Sequence, residues 1–134
     1  APRPTVILGK ASAGGHGPAT NAPDGLILNL KAPSSAPKYV KAIIALEFEP
    51  EDPPWVGAKG AALEAKNAHF AEELQPEMHK ILDSVAAVIG SKTADEVSTP
   101  EGREHLKAEL IEAINHHLRD HKVEQIYFET FITQ

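Results

Sequence analysis

The spacing of apolar positions changes period twice along the chain. From Tyr39 to Glu49 ("YVKAIIALEFE"), Val40, Ala42, Ile44, Leu46 and Phe48 recur at every second residue, with Lys41, Glu47 and Glu49 on the other side. A period of two belongs to an extended strand with one buried and one wet face. "GLILNL", Gly25 to Leu30, reads as another strand, and the turn-rich "KAPSSAP" between them predicts an antiparallel pair. After "PEDPPWVG" the period lengthens. At 100° per residue, with Met78 at zero, Leu63, Phe70, Leu74, Ile81, Leu82, Val85, Val88 and Ile89 fall within an arc of about 120°. Pro76 lies on the far side and the stripe keeps its phase across it. One long, kinked helix is therefore expected, with water satisfying the Glu72 carbonyl that Pro76 leaves without its N–H. Gly90 is the expected stop.

"SKTADEVSTPEG", Ser91 to Gly102, carries two helix-start signals five residues apart. Thr93 with Glu96, and Ser98 with Glu101, each have the Ser/Thr-x-x-Glu spacing of a capping box. The doubled signal predicts a corner: a short turn around Ala94 to Val97, then a restart with Pro100 at the first helical position, where its missing N–H costs little. Leu106, Leu110, Ile111, Ile114 and Leu118 form the stripe of that second helix. "KVEQIYFETFITQ" then reads as a strand, with Ile126, Phe128 and Ile132 on one face and Tyr127 and Phe131 on the other.

The predicted class is α+β: a small sheet of about three or four strands packed with one long kinked helix, a short helical turn and a second helix. Residues 1–24, rich in Pro, Gly and small polar residues, are expected to be a flexible linker or tail, with residues 25–134 as the domain. Within the tail, Val6-Ile7-Leu8 has an alternative reading as an edge strand.

Composition narrows the function classes. A chain of 134 residues fits one domain. Thirteen Lys and Arg against nineteen Asp and Glu give a net charge of −6, without the basic footprint of nucleic-acid binding. Cysteine is absent, which excludes disulfides, thiolate metal sites and cysteine nucleophiles. No run approaches the roughly 18 to 20 apolar residues of a membrane span. The chain opens on Ala1 and its sole Met is Met78, so a preceding segment is expected.

Candidate chemistry is sparse. His117 and His121 are one helical turn apart and His116 adjoins them, a spacing able to place two imidazoles on one metal. No His-Glu-x-x-His motif accompanies them, and no third ligand is fixed by sequence. His117 falls inside the apolar arc, and the plainer reading is a boundary histidine favoured at a helix C-terminus by the macrodipole. The carboxylate pairs Glu72/Glu73 and Glu47/Glu49 read as solvated faces. No phosphate-cradling loop or hydrolase elbow is present, and no cofactor is expected. For partner binding, Trp55 is either an exposed anchor or a cap folded over the end of the sheet. Tyr127 and Phe131 would form an apolar patch for a neighbouring subunit if their face of the sheet is uncovered.

"SKTADEVSTPEGREHLKAELIEAIN" followed by "VEQIYFETFITQ", together with "NLKAPSSAPKYVKAIIALEFE", resembles the periplasmic domain of the FliL family of flagellar basal-body-associated proteins. The likeness covers roughly Gly25 to Gln134. It departs from the family pattern in the longer "PEDPPWVGAKGAALEAKNAHF" and in the order of Glu129-Thr130. The resemblance implies a stomatin-like fold and a non-enzymatic role in the flagellar motor. It further implies an inner-membrane anchor upstream of Ala1, with this domain in the periplasm. The partners it implies are the stator proteins of the motor and further copies of the chain, as a homo-oligomeric ring supporting torque and motility. The rival readings are a soluble stomatin-like adaptor and a metal protein using His116, His117 and His121.

Overall fold

The computed structural model describes residues 3–10, 25–50, 55 and 57–134. The elements, in order, are β1 (Thr5–Leu8), β2 (Leu26–Asn29), β3 (Tyr39–Phe48), α1 (Gly60–Leu74), a 3-10 turn (Gln75–Glu77), α2 (Met78–Gly90), α3 (Pro100–His117) and β4 (Val123–Thr133). Four antiparallel strands make one sheet, and the helices form a second layer, an α+β fold.

β3 is the central strand because its alternation is the strongest in the chain. Val40, Ala42, Ile44, Leu46 and Phe48 are all fully buried against the helices. β4 pairs along one edge of β3 for its whole length, Val40 to Phe48. The other edge is shared end to end: β1 pairs with Ile44–Glu47 and β2 with Tyr39–Ala42. β1 and β2 thus act as one edge strand interrupted between Gly9 and Gly25. Both glycines have positive φ, 97° and 129°, and a Cβ on either would meet the Ala42 carbonyl at 2.9 or 3.1 Å. No L-side chain fits that junction without shifting it. The apolar patch Val6–Leu8, open to two readings from sequence, is therefore part of the sheet. Residues 11–24, the rest of the expected linker, lie outside the described residues.

The stripe keeps its phase through Pro76. Phe70, Leu74, Met78, Ile81, Val85 and Ile89 are buried, with Leu63, Leu82 and Val88 at the margin. The proline is absorbed by the 3-10 turn, and the Glu72 carbonyl is not left to water as expected: the Gln75 N–H takes it. Tightening to an i→i−3 bond satisfies the acceptor that a proline frees. α2 ends at Gly90 without a left-handed cap. Ser91 instead donates its N–H and its hydroxyl to the Val88 carbonyl, at 3.1 and 2.6 Å.

At the corner the first box forms as expected and the second does not. Thr93 N–H donates to Glu96 Oε1 at 2.9 Å, and Glu96 N–H to Thr93 Oγ1 at 3.2 Å. Thr99, not Ser98, caps α3, accepting from the Gly102 N–H at 3.0 Å, while the Ser98 hydroxyl donates to the Asp95 carbonyl. Placing the cap one residue later keeps Pro100 at the first helical position, where proline is best tolerated. Val97 anchors the turn, fully buried, and Arg103 Nε donates to its carbonyl at 3.1 Å. α3 then returns along α2 with Leu106, Leu110 and Ile114 inward. Asn115 clamps its end to β4, donating to the Val123 carbonyl at 2.9 Å and accepting the Val123 N–H at 2.8 Å.

Candidate interaction surface

The face of the sheet turned away from the helices is set by β4, whose alternation is broken twice. Ile43 pairs with Thr130 but Ile44 with Phe128; Glu47 pairs with Gln125 but Phe48 with Val123. Glu129 and Glu124 are thus the extra residues of two bulges. Each bulge reverses which residues face the core beyond it. Phe128 and Phe131, three apart, both turn inward, with ring centroids 4.8 Å apart. Ile132, expected beside Ile126 and Phe128, is turned out and 52% exposed. Phe131, expected beside Tyr127 on the outer face, packs against the core, with the Arg103 guanidinium over its ring. The bulge at Glu129 corrects both assignments.

The outer face therefore carries a different patch from the one the alternation suggested. Across the sheet at Lys41, Ile27 of β2 and Ile132 of β4 flank the lysine, and both are more than half exposed. Tyr39 is exposed one row below, and half-buried Ile43 lies one row above. Further along, Tyr127 is 48% exposed, with Lys107 Nζ 5.9 Å from its ring centre. Of the two expected patch residues, only Tyr127 belongs to this surface. An ion pair between Lys10 and Glu129, 2.9 Å, spans β3 from one edge of the sheet to the other. Sequence periodicity missed Ile27 and Ile132; the signal for Ile27 was its place between inward-facing Leu26 and Leu28.

Trp55 is buried, edge-on to Phe70 with centroids 6.5 Å apart. It closes the end of the core and offers no exposed anchor; the residues 51–54 before it lie outside the described residues. The histidines do not converge. His116 and His117 sit edge to face at 5.1 Å, both exposed, whereas His121 packs against Phe70 at 4.8 Å. His117, placed in the apolar arc by its phase, is the last residue of α3 and is exposed. It lines an open concavity with His79, Lys80 and Asp83. Among the described residues no three His, Cys, Asp or Glu side chains are grouped to hold a metal. No helix among them is long and apolar enough to cross a membrane. The Glu96 carboxyl is held below its ordinary range by the Thr93 N–H and hydroxyl of the capping box.

The family profile described as "Flagellar basal body-associated protein FliL" matches residues 20–134. The Flagellar protein FliL of Aquifex aeolicus (strain VF5) is 34% identical over 115 residues, covering 78% of this chain and 68% of that protein. The Flagellar protein FliL of Bacillus subtilis (strain 168) is 32% identical over 72 residues, covering 54% of this chain and 51% of that protein.

Proposed function

Because the chain belongs to the FliL family of flagellar basal body-associated proteins, we propose that it is a non-enzymatic support of the flagellar motor. It associates with the stator units, sustains their torque, and assembles with further copies of itself into a ring. In this reading an N-terminal anchor upstream of Ala1 holds it at the inner membrane, and the described domain stands in the periplasm.

The observation that carries the proposal is the match over residues 20–134, which takes in the corner, α3 and β4. The chemistry of those segments is scaffold chemistry: a reciprocal capping box, a buried valine and an asparagine clamp. The polar groups of the corner satisfy one another and fix the angle between two helices. A sheet face that no described residue covers, bearing Ile27, Ile132 and Tyr127, supports an assembling role, since exposed apolar patches mark interaction sites.

The test is motility at graded load. Deleting residues 25–134 from the full protein is expected to leave filaments assembled while swimming in viscous medium falls well below wild type. Equal speeds at every viscosity would contradict the proposal.

A further inference from the structure

We infer that the outer face of the sheet receives the α1 helix of a second copy of this chain, in a head-to-tail contact. The inference rests on the oligomeric part of the proposed function and names the surfaces that would meet.

β3 reads Ala42-Ile43-Ile44-Ala45-Leu46 without a polar residue. A continuous apolar run of this kind belongs to strands covered on both faces. Among the described residues, only one face is covered. On the other, Ile27, Ile132, Tyr39 and Ile43 surround Lys41. Among the described residues Lys41 has no ion-pair partner. A two-fold contact of this face with itself would oppose lysine to lysine, which disfavours it. The occupant has to bring carboxylates and a narrow apolar surface.

α1 has both. Its inward side carries Leu63, Phe70 and Leu74; at about 100° per residue, Ala61, Ala65, Ala68 and Glu72 fall on the opposite side, within about 60° of one another. All four are exposed, and so is Glu64 on the flank of the stripe. Alanines let a helix axis approach a flat sheet closely. Glu64 and Glu72 have no ion-pair partner among the described residues, and they complement Lys41 at the centre of the patch. The helix cannot reach its own outer face, because Asn67 ties it to the other side of the β1 edge by accepting the Thr5 N–H at 3.0 Å. A contact between two different surfaces repeats from copy to copy and closes into a ring when its rotation allows.

The absence of cysteine makes a direct test available. Ala65→Cys and Ile132→Cys are introduced singly and together in the 134-residue chain, which is oxidised over a concentration series up to about 1 mM. Mass by light scattering is read in parallel on the unmodified chain. The double variant is expected to give a ladder of dimer, trimer and higher bands, and each single variant none. Lys41→Glu is expected to abolish the ladder, and mixing it with chains carrying Glu64→Lys and Glu72→Lys to restore it. A dimer from either single variant would overturn the inference in favour of a two-fold contact. No ladder from the double variant would overturn it too. If the mass still exceeds that of a monomer in that case, the ring reading survives with another interface; a monomer throughout removes support from both. Lys41-dependent sedimentation with anionic phospholipid vesicles, without a ladder, would assign the face to a membrane and overturn the second-copy occupant.

Discussion

Replacing Gly102 by alanine tests the corner most sharply, because helix propensity and the local geometry predict opposite signs. Gly102 is the third residue of α3, and at an ordinary helical position Gly→Ala stabilises by about 1 kcal/mol. Here a Cβ would lie 1.8 Å from the Glu96 carbonyl oxygen and 3.0 Å from Thr99 Oγ1. To reach even a tight contact the carbonyl has to retreat by about 1.2 Å, and overpacking of this kind costs about 1–3 kcal/mol. The obstacle is main chain, and Glu96 is held on both sides of its own carbonyl. Its side chain and N–H close the box with Thr93, and Val97, the next residue, is fully buried. The upper part of that range therefore applies, leaving a net loss of about 1–2 kcal/mol, or about 3–6 °C in Tm for a chain of this size. Gly90→Ala is the control. Its Cβ would meet only the Asn29 carbonyl at 3.7 Å, an ordinary contact, so a gain of a few tenths to about 1 kcal/mol is expected. Thermal melts followed by circular dichroism give both numbers. A Gly102→Ala chain as stable as the parent, or more stable, would refute the corner geometry.

Three further outcomes follow from the same structure. Asn115→Ala removes both bonds of the clamp to Val123 and is expected to cost about 1–3 kcal/mol in urea unfolding, with faster amide exchange at the start of β4; unchanged stability and exchange would show that the clamp does not form. Phe131→Ala is expected to destabilise by about 2 kcal/mol and Ile132→Ala by less than about 0.5 kcal/mol, because the Glu129 bulge turns the first inward and the second out; the reverse ranking would mean an unbroken strand. Glu96 has a depressed pKa, so its stabilising contribution is present above the ordinary glutamate value of about 4.3 and is lost as pH falls through the lower folded value. Glu96→Gln keeps the acceptor without the titration, so its stability should fall less steeply with acid than the parent's; parallel acid limbs would speak against the box.

How much was legible in the sequence depended on whether a periodicity ran unbroken. β3 could be read residue by residue, because its alternation and its burial are the same pattern. The stripe from Leu63 to Ile89 survived Pro76 because the 3-10 turn changes the hydrogen bonding more than the phase. The corner could be located but not assigned bond by bond: Ser98 and Thr99 are both competent caps, and only the position of Pro100 decides for Thr99. β4 was misread beyond Phe128 because a bulge has no signature that periodicity detects, and one extra residue exchanges Phe131 and Ile132 between faces. The outer patch was missed with it. The Thr5–Leu8 strand gains its stability from the half-edge of β3 it pairs with, a tertiary fact absent from four isolated residues. Trp55 needed Phe70 in place before its burial was decided.

The claim that this domain supports the stator is tested most directly by counting torque-generating units in single motors. Bead-loaded motors rebuild torque in discrete steps, one for each unit recruited. At high load, motors whose protein lacks residues 25–134 are expected to hold fewer units, or to keep each for less time, than motors with the whole protein. Equal step numbers, dwell times and torque in the two would contradict the account.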